Sequence, residues 1–245
     1  FENIFLISRL LETRVQTGIA RLLPYDEGMS SDNIQKLSTK PYNWLPGMVV
    51  RGEGIFFEFS KKLIENWTKK FNSKSIVSIN NNYNKNREDR GLSSRKVNAK
   101  FILIHTFAHL LINQLSYSCG YASASLRERI YCNLNNEDKE MQGVLIYTAS
   151  GDAEGTLGGL VREGEPQNLK AIAIDAFNKA LNCSYDPVCL ETTSQGLGGT
   201  NASSCHACTF LAETSCEEGN QLLDRTTIVG NGSDLKGYFD KLIND

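Results

Sequence analysis

Three common sources of attraction or confinement are missing from this chain of 245 residues. It has no surplus charge of one sign: 26 Lys+Arg against 28 Asp+Glu leave a net −2 and a pI near 6.0. No global field therefore pulls it toward a polyanion or a membrane surface. It has no apolar run approaching eighteen residues, which excludes a membrane-spanning helix. It has no secretory signal, so a cytoplasmic location is expected, where a disulfide framework is not. There is no Gly-Lys-Ser/Thr, no GxGxxG and no DEAH-like box, so the chain should not hydrolyse ATP by itself. No period of fixed length recurs. The chain begins at Phe1 without a Met, and a segment of a longer protein is expected. Apolar residues make up 40%, enough for one large core or two small ones.

Cysteine is what the chain does have. Five of its seven cysteines fall between Cys183 and Cys216. Cys183 and Cys189 form one close pair, and Cys205 and Cys208 form a CHAC knuckle whose two intervening residues turn both sulfurs the same way. Two short-spaced pairs supply the four corners of a tetrahedral zinc site, with Cys216 as a substitute for one of them. His206, inside the knuckle, is expected to point outward. Four sulfurs spent on one ion leave no open position for water, so the site should stabilise rather than catalyse.

Elsewhere the pattern is mixed α and β. Residues 1–23 suggest a strand and helix lead-in, and 24–46 a proline-broken loop. Residues 51–59 alternate with period two, as in a strand, with Glu53 held between Gly52 and Gly54. Ser60 is placed to cap a helix carrying Leu63, Ile64, Trp67 and Phe71 on one face. Residues 72–98, rich in Asn, Ser, Lys and Arg, suggest a long polar loop. Its Arg87, Arg90, Arg95 and Lys96, with Tyr83, are the best nucleic-acid candidates. Residues 101–115 (FILIHTFAHLLINQL) form a helix apolar on nearly every side, hence central and buried. His105 and His109 share one face of it, one turn apart, a spacing that suits either a metal or hydrogen-bonded core histidines. The HExxH pattern is not met, because Thr106 follows the first histidine.

Residues 143–150 are a buried strand that runs into GDAEGTLGGL. A glycine-rich turn there resembles a phosphate cradle, but Asp152 and Glu154 would repel phosphate and could instead bind a cation or act as acid and base. Pro166 opens a further helix that delivers the chain to Cys183. The segments after the cysteines suggest short helices over the metal. The fold class is therefore α/β of mixed α+β type: a central buried helix, a short sheet and a four-cysteine zinc-binding subregion. The division expected is 1–98, a strand/helix portion with its polar loop, and 99–245, the zinc-binding domain.

The order HTFAHLLINQL, GVLIYTASGDAEGTLGGL, cysteine cluster, GNQLLDR resembles the zinc-binding domain at the end of MrfA-type DNA-repair helicases. RGEGIFFEF and ASLRERIY are similar to the DrmB proteins of the DISARM antiphage system. The relatives hold four cysteines in a more compact cluster than this chain does. The resemblance implies a non-catalytic domain with structural zinc that supports a superfamily-two helicase subunit and engages DNA, single-stranded or otherwise, directly or through that partner. The alternative is a metal-dependent hydrolase or nuclease built on His105, His109, Asp152, Glu154 or Glu53.

Overall fold

The computed structural model describes residues 1–19, 35–40, 42–71, 73–122, 124–132, 140–148 and 159–244. Asp152 and Glu154 lie outside the described residues, as do most of the glycine-rich turn that carries them and much of the proline-broken segment.

Four strands form one antiparallel sheet: β1 (Asn3–Val15), β2 (Gly47–Glu58), β3 (Leu126–Cys132) and β4 (Gln142–Thr148), in the order β1-β2-β4-β3. Residues 3–15 are thus a single long strand rather than a strand and helix. The pairing shifts between Ile7 and Leu10. Strand β2 lies between β1 and β4, so both sides of residue 98 contribute to one sheet. Gly52 permits its close fit: a Cβ there would lie 2.6 Å from the Thr148 carbonyl oxygen.

Helix α1 (Lys61–Thr68) follows Ser60 and buries Ile64. Trp67 and Phe71 stack at 4.5 Å on the same stripe, whereas Leu63, about 100° around the helix from Ile64, is exposed. The expected polar loop is instead largely helix α2 (Lys74–Asp89). Ser73 caps it by accepting from the Ser75 amide at 3.2 Å. Ile79 and Tyr83, one turn apart, bury its inner face. The asparagines that suggested a loop hold the returning chain: Asn80 Oδ1 accepts from Val97 N at 2.9 Å and Asn84 Oδ1 from Arg95 N at 2.7 Å.

Helix α3 (Ala99–Cys119) is the axis of the molecule. Asn98 caps its start by accepting from Phe101 N, and Gly120, at φ 72°, ends it in the left-handed conformation. Phe101 to Ile112 are buried without a break, as an all-apolar helix requires. One face of the sheet packs beneath it. Ile55 of β2, Ile146 of β4 and Glu128 of β3 form a row across the strands, flanked by Phe57, Val144, Leu126 and Ile130. Helix α5 (Pro166–Ala180) closes the other side, and helix α4 (Gly159–Glu163) lies against β2 and β1. Leu169, Ile172, Ala176 and Phe177 of α5 turn inward. The tail lies in this core rather than over the cysteines: Phe239 stacks on Phe177 at 4.5 Å. Among the described residues, no helix is long and apolar enough to cross a membrane.

Candidate metal centre

Helix α5 ends next to Cys183, and helix α6 (Val188–Glu191) carries Cys189. The knuckle returns from the far side, its turn closed by the Cys208 amide donating to Cys205 O at 3.1 Å. Cys183, Cys189, Cys205 and Cys208 converge, with all four sulfurs within 4.8 Å of one another. Cys183 to Cys205 is 3.5 Å, Cys205 to Cys208 is 3.7 Å and Cys189 to Cys208 is 3.9 Å. A zinc–sulfur bond of about 2.3 Å gives a tetrahedral edge of about 3.8 Å, so these spacings fit the ion. They are far too long for disulfides, which need about 2.05 Å. The wide spacing of the first pair is no obstacle, because helix α6 folds it back.

The thiols are also poorly suited to standing alone. Burial, and then the charge of neighbouring thiolates, pushes Cys189 up to about 11 and Cys208 higher still. Cys205 runs the other way: against burial, the Ala207 amide and the adjacent thiols hold it below the ordinary thiol value. Four sulfurs cannot all ionise at this distance without a cation, and a dication removes the conflict. His206 is exposed, its ring 4.7 Å from Phe210 and away from the sulfurs.

Cys216 does not replace any of the four. It is buried beside His105, with Sγ 3.2 Å from Nε2. His105 and His109 face Glu128, which β3 presents on the helix-facing side of the sheet at 3.0 and 3.5 Å. Desolvation alone would lower both imidazoles, but Glu128 and then Cys216 raise them, His109 to about 9. Burial would raise Glu128, but the two histidines hold it well below the carboxylate range.

Glu53 has a structural role. It is buried, and its carboxylate accepts from Leu160 N at 2.8 Å and Val161 N at 3.3 Å, closing the start of α4. Glu53→Ala should cost about 1–2 kcal/mol, with Glu53→Gln recovering part of it, read as a shift in the urea midpoint. A midpoint unchanged by Glu53→Ala would exclude the capping role.

The four nucleic-acid candidates divide. Arg95 pairs with Glu218 at 2.6 Å and lies over the Phe101 ring at 4.9 Å. Arg87 donates to Ser93 O at 2.7 Å. Arg90 and Lys96 are exposed.

Two residues of GNQLLDR matter more than their sequence suggests. Arg225 is fully buried, donating to Ala180 O at 2.8 Å and pairing with Asp186. Asp186 also accepts from the Cys183 amide at 2.8 Å, so Arg225 holds the loop that presents the first metal ligand. Asp224, also buried, accepts from Ser75 Oγ at 2.7 Å and Thr226 Oγ1 at 2.7 Å.

Comparison with known proteins agrees with this geometry. The family model of the MrfA Zn-binding domain matches residues 107–209, a span that contains all four converging cysteines. The DISARM protein DrmB of Bacillus paralicheniformis is 40% identical over 234 residues. This chain resembles DrmB along nearly its whole length. The alignment covers 94% of this chain and 41% of that DrmB, so the chain spans about two-fifths of its relative. The similarity to DrmB therefore extends well beyond the zinc-binding segment, to the sheet and helices that position it.

Proposed function

We propose that this chain is a non-catalytic, zinc-stapled module of a DISARM-type antiphage system, working in the cytoplasm beside a superfamily-two helicase and supporting its hold on DNA. The observation that carries this reading is the closed set of four cysteines. Four thiolates fill a tetrahedral ion, leave no position for water or substrate, and make the metal a fastener. The likeness to DrmB supports the defence setting. The likeness to the MrfA Zn-binding domain supports the metal-binding role.

The hydrolase reading has less support. His105 and His109 are fully buried between α3 and the sheet, so a phosphodiester has no access to them. In the module reading, DNA binding falls to the exposed Arg90 and Lys96 at the end of α2 and the start of the returning segment. The double variant Arg90→Ala/Lys96→Ala should weaken single-strand binding in the presence of the helicase. It should also reduce the slope of log K against log salt by about 1.4, or about 0.7 for each phosphate no longer neutralised. An unchanged slope removes this edge from the footprint. ATP turnover by this chain without a partner, or nuclease activity abolished by His105→Ala, would overturn the module reading.

A further inference from the structure

We propose that His105, His109, Glu128 and Cys216 form a second metal centre, which takes a zinc-type divalent cation in a closed, four-ligand, structural role. Their donor atoms all lie within 4.8 Å of one another. The orientation of the two rings indicates which nitrogens do the binding. Nδ1 of His105 is 3.3 Å from Leu222 O, and Nδ1 of His109 is 2.9 Å from Thr209 O. A carbonyl only accepts, so both Nδ1 atoms carry a proton and both Nε2 atoms point inward, where each can hold either a second proton or a metal ion. A backbone carbonyl on the outer nitrogen is the usual arrangement behind a metal-bound histidine.

Those inward nitrogens meet anionic groups. Nε2 of His105 is 3.0 Å from Glu128 Oε1 and 3.2 Å from Cys216 Sγ, and Nε2 of His109 is 3.5 Å from the same carboxylate oxygen. Anionic groups held against those nitrogens away from water require positive charge between them, from protons on Nε2 or from a cation. Hydrogen bonding leaves the account open: His109 Nε2 and Glu128 Oε2 are both buried and make no hydrogen bond. A single dication would use every one of these donors. With zinc–nitrogen and zinc–oxygen bonds of about 2.0–2.1 Å and a zinc–sulfur bond of about 2.3 Å, tetrahedral edges run to about 3.3–3.6 Å. The observed 3.0, 3.2 and 3.5 Å lie close to that range. Two imidazoles, one thiolate and one carboxylate form a borderline set suited to zinc and unsuited to magnesium or calcium.

The outer shell is in place as well. Asn220 N donates to Cys216 Sγ at 3.2 Å and Glu217 N to Glu128 Oε1 at 3.2 Å. The centre would tie α3, β3 and the 216–220 turn together. Thr209 links it to the four-cysteine site, because the residue whose carbonyl receives His109 directly follows Cys208. With four protein ligands and no position left for water, the ion would stabilise the core rather than catalyse.

Metal analysis of the purified chain tests this. Two zinc ions per chain are expected. Cys216→Ser and His109→Gln should each reduce the count to one, and Cys205→Ser should remove the other ion while leaving this one. Zinc X-ray absorption of the unmodified chain needs no folded variant: five sulfurs among eight ligands predict an average of about 2.5 sulfurs and 1.5 nitrogen or oxygen ligands per zinc. One zinc per chain with an all-sulfur shell would overturn the second centre and leave the four-cysteine site standing.

Discussion

Cys205→Ser is expected to purify with one zinc fewer per chain and to lose ordered structure over residues 183–208. A structural zinc contributes an apparent 10–16 kcal/mol, about as much as the 5–15 kcal/mol by which a whole domain is usually stable. The segment it fastens has little else to hold it. Between Cys189 and Thr226 the chain is mostly turns, with one isolated bridge, Gln195 to Asn201. Asn201 does much of the remaining work: its side chain donates to Asn220 O at 2.7 Å and accepts from Leu223 N at 2.9 Å. Such polar ties are worth about 1 kcal/mol each and do not replace a missing ion. Limited proteolysis should cut the variant after residue 183, and its melting temperature should fall by well over 10 °C, at roughly 2–4 °C per kcal/mol for a chain of this size. A variant that kept its melting temperature would show that the sulfurs do not grip an ion.

Arg225→Ala should be the most damaging substitution outside the metal ligands, at about 3–5 kcal/mol, or on the order of 10 °C. Removing the guanidinium empties a fully buried volume, strands the Ala180 carbonyl and leaves Asp186 without its cation. Asp186 also fixes the Cys183 amide, so zinc should pass to a chelator faster from this variant than from the parent. Arg225→Ala/Asp186→Ala should lose less than the two single losses added together, because an unpaired buried charge costs more than an absent pair. Additive losses in thermal melts would show that the pair carries no coupling.

Much of the architecture was legible in the order of residues because it depends on local spacing. An apolar run from Phe101 to Leu115 can only be a buried helix, alternation in residues 51–59 makes a strand, and a two-residue gap between Cys205 and Cys208 makes a knuckle. Helix α2 was hidden because asparagine has low helix propensity, and only the returning segment supplies partners for Asn80 and Asn84. The role of Glu53 was undecided for a similar reason: the amides it caps come 107 and 108 residues later.

The sequence by itself determined the pattern of four cysteines, the central helix and the mixed α and β character, since each follows from spacing over a few residues. The tertiary structure decided where Cys216 and Glu128 go. In LRERIY, Glu128 reads as one charge among several. Pairing of Glu128 with Ile146 places it on the covered side of the sheet, under two histidines. Cys216 reaches the same point from 111 residues beyond His105. Register between strands and the return of a distant turn depend on the packing of the whole core, and no window along the chain contains that information.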